Sequence, residues 1–561
     1  MIAERPGPAA LAAFGAVVVV VGSGPVGTIT ALALADRGLR VLVLESGGPA
    51  PEPGPDDLAV AECLTPDAHF EPATAVARRL GGTSNLWAGR CVPFDPIDFA
   101  ARPWLGLDAW PIGPDDLAPF LAPALAALGA GEAVFAAPVP GLAADPAFRS
   151  DTLERWTNQP RIHRLHGRAL AGRADLLVAL RTTVTGFRYG PGGAIAGVEV
   201  ATGEGRGEFP ATRVVLAAGG NASTRLLLLE QARDPALFGG RDGPLGRFYM
   251  GHLSGQIADV VFGSRALHDA LDYHVDAHGS YVRRRLVPAE ATQAAERLSN
   301  VAFWPVVPPI ANPAHRSGPL SAVFLALSIA PLGRRLIAEP VRLKHVGPPP
   351  YRRGTHLANV LRDLPRTLGF APAFLWRNRV AKMRLPGFFL TNRAGRYGLE
   401  YHAEQLPNPE SRLTLSDTSR DALGQPRLRI ALRFTQADAA AVLRAHAALD
   451  GWLTRNRLAT LDYYRPAPER AAEVLENARD GAHQVGTIRM GARAGEAVVD
   501  ARLEAFGTPG LFVASTAVLP TSGQANPTLT AVQLGLRLAG DIAGDVAAGR
   551  GQATAAATSS G

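Results

Sequence analysis

Cysteine is nearly missing: Cys63 and Cys91 are the only two among 561 residues. Two cysteines cannot build a disulfide framework, and these lack the paired spacing of a zinc site. The expectation is two core thiols, a reducing compartment and no bound metal. Long hydrophobic runs are scarce too. Ala9 to Val21 is apolar behind Arg5, but it passes directly into Gly22-Ser23-Gly24 and leaves no cleavage site that would spare that motif. No other run is long enough to span a bilayer, so the sequence reads as cytoplasmic. Aromatic residues make up 7% of the chain, while Ala, Gly, Arg and Pro are abundant, a bias without mechanistic content. There is no internal repeat. No nucleic-acid fold signature accompanies the net charge of +7, so no nucleic-acid partner is expected.

What is present suits a large α/β enzyme. The hydrophobic fraction of 47% is enough for a sizeable core. At the N-terminus the β-branched run Ala16 to Val21 predicts a strand buried on both faces. Thr28 to Arg37 follows with helical character, closed by Gly38, and Arg40 to Leu44 predicts a second buried strand. This is a βαβ unit, which implies a parallel sheet with a right-handed crossover. Pro49 to Pro72 reads as an excursion and Asp116 to Leu128 as a helix. Strands are predicted at Leu176–Leu180, Thr183–Arg188, Ile195–Ala201 and Val214–Ala217, with a helix over Thr224–Gln231. The middle of the chain is less regular, and Gly481 to Val546 returns to strand, loop and long helix. The expected organisation has four parts. Residues 1–251 form the N-terminal and central pieces of a nucleotide-binding domain. Residues 252–480 are mainly a substrate domain, 481–546 complete the first domain, and 547–561 are a disordered tail.

The most telling segment is Gly22-Ser23-Gly24-Pro25-Val26-Gly27, between strand and helix. Gly22 permits the tight turn, Gly24 lets the backbone approach a pyrophosphate, and Gly27 lets the helix pack closely. The helix N-terminus then offers free N–H groups and a partial positive charge to the phosphates. Glu45, at the end of the second strand, stands where a carboxylate accepts hydrogen bonds from ribose hydroxyls and would repel a 2′-phosphate. This motif does not distinguish FAD from NAD. A second loop of glycine and hydroxyl residues, Leu80 to Gly89, contains Gly81, Gly82, Thr83, Ser84 and Asn85, and suits a diphosphate and a flavin edge.

In order along the chain, these motifs resemble the glucose-methanol-choline (GMC) oxidoreductase family. GSGPVG and Glu45 come first, then GGTSNLW, then VVLAAGG at Val214–Gly220, which includes Ala218. Last come the stretch from His483 to Gly491 and the stretch Pro520 to Thr528. The H-x-x-G-T-x-R-M-G form looks closest to the pyranose oxidase and bacterial sugar or polyol dehydrogenase branch. The resemblance implies a Rossmann-like FAD domain on a parallel sheet and a substrate domain on a mostly antiparallel sheet with helices. It also implies oxidation of a CH–OH group of a sugar, polyol or other alcohol by hydride transfer to flavin N5. His483 would be the base, Asn526 its partner, and Val184 would hold the adenine through its backbone. Fungal pyranose oxidases attach flavin through a histidine where this chain has Leu86, and leucine forms no such bond, so noncovalent FAD is expected.

The residues support that chemistry on their own terms. A neutral imidazole is a natural base near pH 7. Asn526-Pro527-Thr528 opens a helix whose N-terminus suits the negative charge of a reduced flavin, and Asn526 also reads as a helix cap. Tyr401 to Leu406 alternates like a strand. His402 and Glu404 share one face, Tyr401, Ala403 and Gln405 the other, and Gln405 is the expected substrate contact. His252 is expected to be structural.

Residues 334–396 hold 14 Lys and Arg against Glu339 and Asp363, with Leu357, Leu361, Phe370, Phe374, Leu375, Trp376, Phe388 and Phe389 interleaved. This segment reads as a lid, a membrane-surface contact, a docking face for an acidic electron acceptor, or a solvated surface. The acceptor stays open among oxygen, quinone and cytochrome, and with it the choice of oxidase or dehydrogenase. Two other classes fit the N-terminal motif: an FAD monooxygenase or halogenase reduced by NAD(P)H, and a flavin-binding electron-relay subunit.

Overall fold

A computed structural model describes residues 1–52, 57–263, 265–336, 345–347, 349–375, 390, 392 and 394–549. Its first layer is a six-stranded, wholly parallel sheet. In spatial order the strands are Ile2–Glu4, Leu176–Leu180, Val41–Glu45, Val18–Val21, Val214–Leu216 and Leu511–Val513. Val18 to Val21 are all buried, which explains a run with no polar alternation. The following helix starts at Pro25 rather than Thr28, because proline pre-sets the first helical φ and Gly24 caps it in an extended conformation. This helix, Pro25–Ala35, is apolar nearly all round because it lies between the sheet and the C-terminal helix Thr528–Ala547. A side chain at Gly535 would strike Thr30 Oγ1, so glycine sets the closeness of those two helices.

The second layer is an eight-stranded antiparallel sheet. Its main path runs Ala459–Tyr463, His252–Phe262, Arg396–Glu404, Val301–Val306, Tyr281–Pro288, Phe148–Trp156 and Arg90–Cys91, and His274–Val275 pairs with the fifth of these. The fold is therefore α/β, with a parallel nucleotide-type sheet and a largely antiparallel partner. The antiparallel sheet draws Arg90–Cys91 and Phe148–Trp156 from the stretch assigned by sequence to the nucleotide domain. One face of it is apolar: Leu253, Phe303, Tyr401 and Ala403 pack with Leu449 and Trp452 of the helix Gln436–Arg455.

Within the basic segment, the helices Arg353–Arg362 and Leu364–Leu375 expose Leu357, Leu361, Leu364 and Leu368, the last at 69%. Glu339, Trp376, Phe388, Phe389 and the tail from 550 lie outside the described residues. Among the described residues no helix is long and apolar enough to cross a membrane.

Candidate active site

The two layers enclose one continuous cavity of about 840 Å³. Its lining includes both the glycine turn with Glu45 and the pair His483 and Asn526. The turn takes its shape from glycine. Gly22 has φ +105°, and a Cβ there would sit 2.6 Å from the Ala217 carbonyl oxygen. A Cβ at Gly24 would meet nothing within 4 Å, so this backbone faces open space that a pyrophosphate can approach. Glu45 is buried and braces the turn: Oε2 accepts from Ser23 N–H (3.1 Å) and Ser23 Oγ (2.6 Å), while Oε1 accepts from Gly47 N–H (3.0 Å).

Ser23 also ties in the second loop, because Gly81 N–H donates to its Oγ at 3.2 Å. Gly82 (φ +54°) lies so close over the turn that a Cβ would fall 2.7 Å from Gly24 Cα. The two glycine loops therefore make one cradle. Of the residues expected to hold cofactor, Gly22, Gly24, Pro25, Val26, Glu45, Gly82, Thr83, Ser84, Val184, Ala218, Pro527 and Thr528 line the cavity. Gly27, Gly81 and Asn85 stand behind it. A side chain at Gly27 would run into the Gly22 carbonyl, and Asn85 Nδ2 donates to the carbonyls of Leu80 (3.1 Å) and Gly82 (2.8 Å). Their contribution is the shape of the loops. Leu86 lines the cavity and is half exposed. The cradle, the open approach at Gly24 and the cavity volume fit a dinucleotide such as FAD.

Elsewhere on the cavity wall, Asn526 Nδ2 donates to His483 Nε2 at 3.1 Å. Asn526 does not cap the helix behind it, since no side-chain cap bond forms there. Its Oδ1 is buried and without a hydrogen-bond partner among the described residues. A family model described as GMC oxidoreductase matches residues 407–535, the stretch holding both residues. Over these residues the chain is similar to GMC oxidoreductases. Members of this family generally bind FAD. The C-glycoside 3-oxidase of Microbacterium trichothecenolyticum is 36% identical over 138 residues, 24% of this chain and 25% of that protein. The fructose dehydrogenase large subunit of Gluconobacter japonicus is 32% identical over 155 residues, 27% of this chain and 26% of that one. The chain thus matches about a quarter of the length of these curated relatives. Over the whole fold it is similar to pyridoxine 4-oxidase from Mesorbium loti, with TM-score 0.53, 18% identity, and coverage of 93% of this chain and 98% of that one. It is also similar to a fungal aryl-alcohol oxidase, with TM-score 0.51, 16% identity, and coverage of 95% and 99%.

Sequence reasoning named His252 and His402 but did not place them at His483. His252 and His402 lie beside His483: the His252 and His402 rings stack at 4.2 Å, and His252 meets His483 edge-on at 4.6 Å. His252, expected to be structural, bonds directly to His483, Nδ1 to Nδ1, at 2.8 Å. A three-histidine cluster invites a metal reading, since one nitrogen from each lies within 4.8 Å of the others. The geometry argues otherwise. The His252 and His402 planes differ by only 18°, so their lone pairs run in nearly parallel layers and do not converge. Two backbone carbonyls fix these rings: Ser522 O accepts from His252 Nε2 (3.2 Å) and Gln524 O from His402 Nδ1 (2.7 Å). Burial pushes all three imidazoles below their usual range, with Arg90 adding to the effect on His483, which falls to about 4.

Gln405 is corrected by the structure. Its side chain is fully buried, Oε1 accepts from Gly251 N–H (2.8 Å), and Nε2 donates to Arg433 O (2.9 Å). With both amide ends used, it is a structural tie. The face of its strand that turns to the site is the other one, carrying Glu400 and His402. Alternation along the strand showed two faces, but which one packs on the core is decided by the helix Gln436–Arg455, far along the chain.

Proposed function

We propose that the protein is an FAD-dependent oxidoreductase that oxidises a CH–OH group of a sugar, polyol or other alcohol, with the FAD held noncovalently. The observation that carries this reading is the His483–Asn526 pair, 3.1 Å apart on the wall of the cavity that also holds both glycine loops. Pure electron relay needs no such base.

The chain's own groups account for the chemistry. The hydrogen bonds select one arrangement of protons. Ser522 O takes the His252 Nε2–H, so His252 Nδ1 carries a lone pair and accepts the His483 Nδ1–H. His483 Nε2 is then the unprotonated nitrogen, facing Asn526. A substrate hydroxyl entering between the two donates to Nε2 and accepts from Asn526 Nδ2. His483 takes the hydroxyl proton at Nε2 as the C–H bond breaks. Bound FAD supplies the hydride acceptor. Gly22, Gly24, Gly82 and Glu45 would hold its nucleotide half, and Thr528 opens a helix whose N-terminus favours negative charge at the reacting end. Leu86 offers no atom for a covalent link.

Anaerobic mixing of the yellow protein with a panel of sugars and alcohols is expected to bleach the flavin, and denaturation to release free FAD. Reduction by NADH without any alcohol would favour the monooxygenase class, and an unbleached flavin across the panel would favour electron relay. Reoxidation of the bleached protein by oxygen, quinones and cytochromes identifies the acceptor.

A further inference from the structure

The site-facing side of the antiparallel sheet is polar and cationic at one end. Alternation places its residues in register: Arg90 opposite Trp156, Arg283 opposite Glu154, and Trp304 opposite Glu400. Arg90, Arg283, Trp304 and Glu400 line the cavity, while Glu154 is fully buried behind them. Glu154 serves both arginines. Arg283 Nε donates to Oε1 at 2.6 Å, and Arg90 Nε lies 2.5 Å from Oε2. Arg285 stands next along the same strand and bonds to Gln524 Oε1 at 2.5 Å.

Two cavity-lining guanidinium groups thus share one carboxylate. Both also lie against the Trp304 ring, at 4.5 Å for Arg90 and 4.7 Å for Arg283, which holds them in place. Arg90 Nη2 is buried and has no hydrogen-bond partner among the described residues. A buried donor of this kind calls for an acceptor, and a charged acceptor fits a guanidinium fork best. Beside Trp304, Glu400 accepts from Gln256 Nε2 at 3.0 Å and presents the opposite charge to the cavity. The wall is therefore cationic at the Arg90 end and an acceptor of hydroxyl protons at the Glu400 end.

We propose that the substrate is an acidic sugar, a hexuronic acid or its glycoside, with its carboxylate on Arg90 and Arg283 and ring hydroxyls on Glu400. This rests on the reading of the site as one that oxidises a CH–OH group, and it names the substrate class. Arg90 lies over the Trp304 ring at 4.5 Å, Trp304 stands 6.1 Å from the His402 ring, and His402 stands 5.8 Å from His483, so the carboxylate site and the base are linked by three successive side-chain contacts on one wall.

The test compares a methyl hexoside with the matching methyl hexuronoside. Binding to the oxidised FAD-loaded protein is read from perturbation of the flavin spectrum, and oxidation separately by anaerobic bleaching. The hexuronoside is expected to bind at least about tenfold more tightly, the worth of one charge-assisted contact. Arg90→Gln should collapse that ratio toward one, and Arg90→Lys, which keeps the charge, should retain part of it. FAD content of each variant shows that the fold is intact. Equal binding of the two ligands, or a preference that survives Arg90→Gln, overturns the proposal even if both bleach the flavin. Arg90-dependent binding without bleaching upholds the anion site and sinks the oxidoreductase reading instead.

Discussion

The Nδ1 atoms of His252 and His483 lie 2.8 Å apart, close enough that one proton must sit between them. Because the one N–H of neutral His252 sits at Nε2 and donates to Ser522 O, the proton between the two Nδ1 atoms belongs to His483, and His252 works as the acceptor that fixes the tautomer of the base. Replacing His252 by Leu removes that acceptor and should slow flavin reduction about tenfold to a hundredfold, as loss of an orienting partner does. His252→Asn, whose Oδ1 can accept the same proton, should recover part of the rate. Rapid-mixing reduction of the two variants at equal FAD content decides this. Equal rates in both would make His252 a packing residue.

His483 itself is expected to matter most. His483→Ala should keep its FAD and lose about 10² to 10⁴ in reduction rate, the usual worth of a positioned base. Asn526→Ala should lose less, since Asn526 orients the oxygen and takes no proton. A near-parental rate in His483→Ala would remove it from the mechanism.

The pH dependence follows from burial. With His483 held down to about 4, the base is neutral throughout the physiological range. The reduction rate should be flat at neutral pH and fall only as pH drops through about 4, where Nε2 gains a proton. An inflection near the ordinary imidazole value of roughly 6.5 would contradict this. Stability carries the same sign. The unfolded chain protonates these histidines near 6.5 while the fold keeps them neutral, so stability should decline as pH falls from there toward 4. Urea titrations at pH 7 and pH 5 would show it.

The junction of the two glycine loops gives a prediction about the cofactor. Gly82→Ala places a methyl group 2.7 Å from Gly24 Cα at a φ of +54°. The loops must part, and FAD occupancy after purification should fall sharply while the secondary structure measured by circular dichroism persists. Full occupancy would show that the loops have slack.

The basic segment offers a surface to test. The helices Arg353–Arg362 and Leu364–Leu375 expose Leu357, Leu361, Leu364 and Leu368 in a stretch with 14 basic residues against two acidic ones. A second copy would meet like charge there, whereas anionic lipid meets opposite charge beneath an apolar stripe. Sedimentation with phosphatidylglycerol-containing vesicles is expected, weaker at high salt, and lost in Leu361→Asp/Leu368→Asp. Equal recovery with phosphatidylcholine alone, or none with either, would rule out this docking.

Much of this architecture was legible in the residues. The strand Leu176–Leu180 is observed with the bounds read from its apolar run, and the helix after the glycine turn differs only in its start. His483 and Asn526 were found through a motif, and the structure brings them together across 43 residues. The role of His252 was not read, because its partner is 231 residues away and a lone histidine at the start of a strand carries no local signal. Gln405 was misread for a related reason. Periodicity separates the two faces of a strand, but the element that covers one face comes from elsewhere in the chain.

The strand Arg396–Glu404 places Glu400, His402 and Glu404 toward the site and Leu399, Tyr401 and Ala403 toward the core. Loss or gain of a single residue within it would exchange the two sets at a stroke, putting leucine and tyrosine in the cavity and charge in the core. Changes of length in this strand therefore cannot be graded. Substrate preference is then retuned by replacing side chains along the wall, on a frame whose spacing is kept.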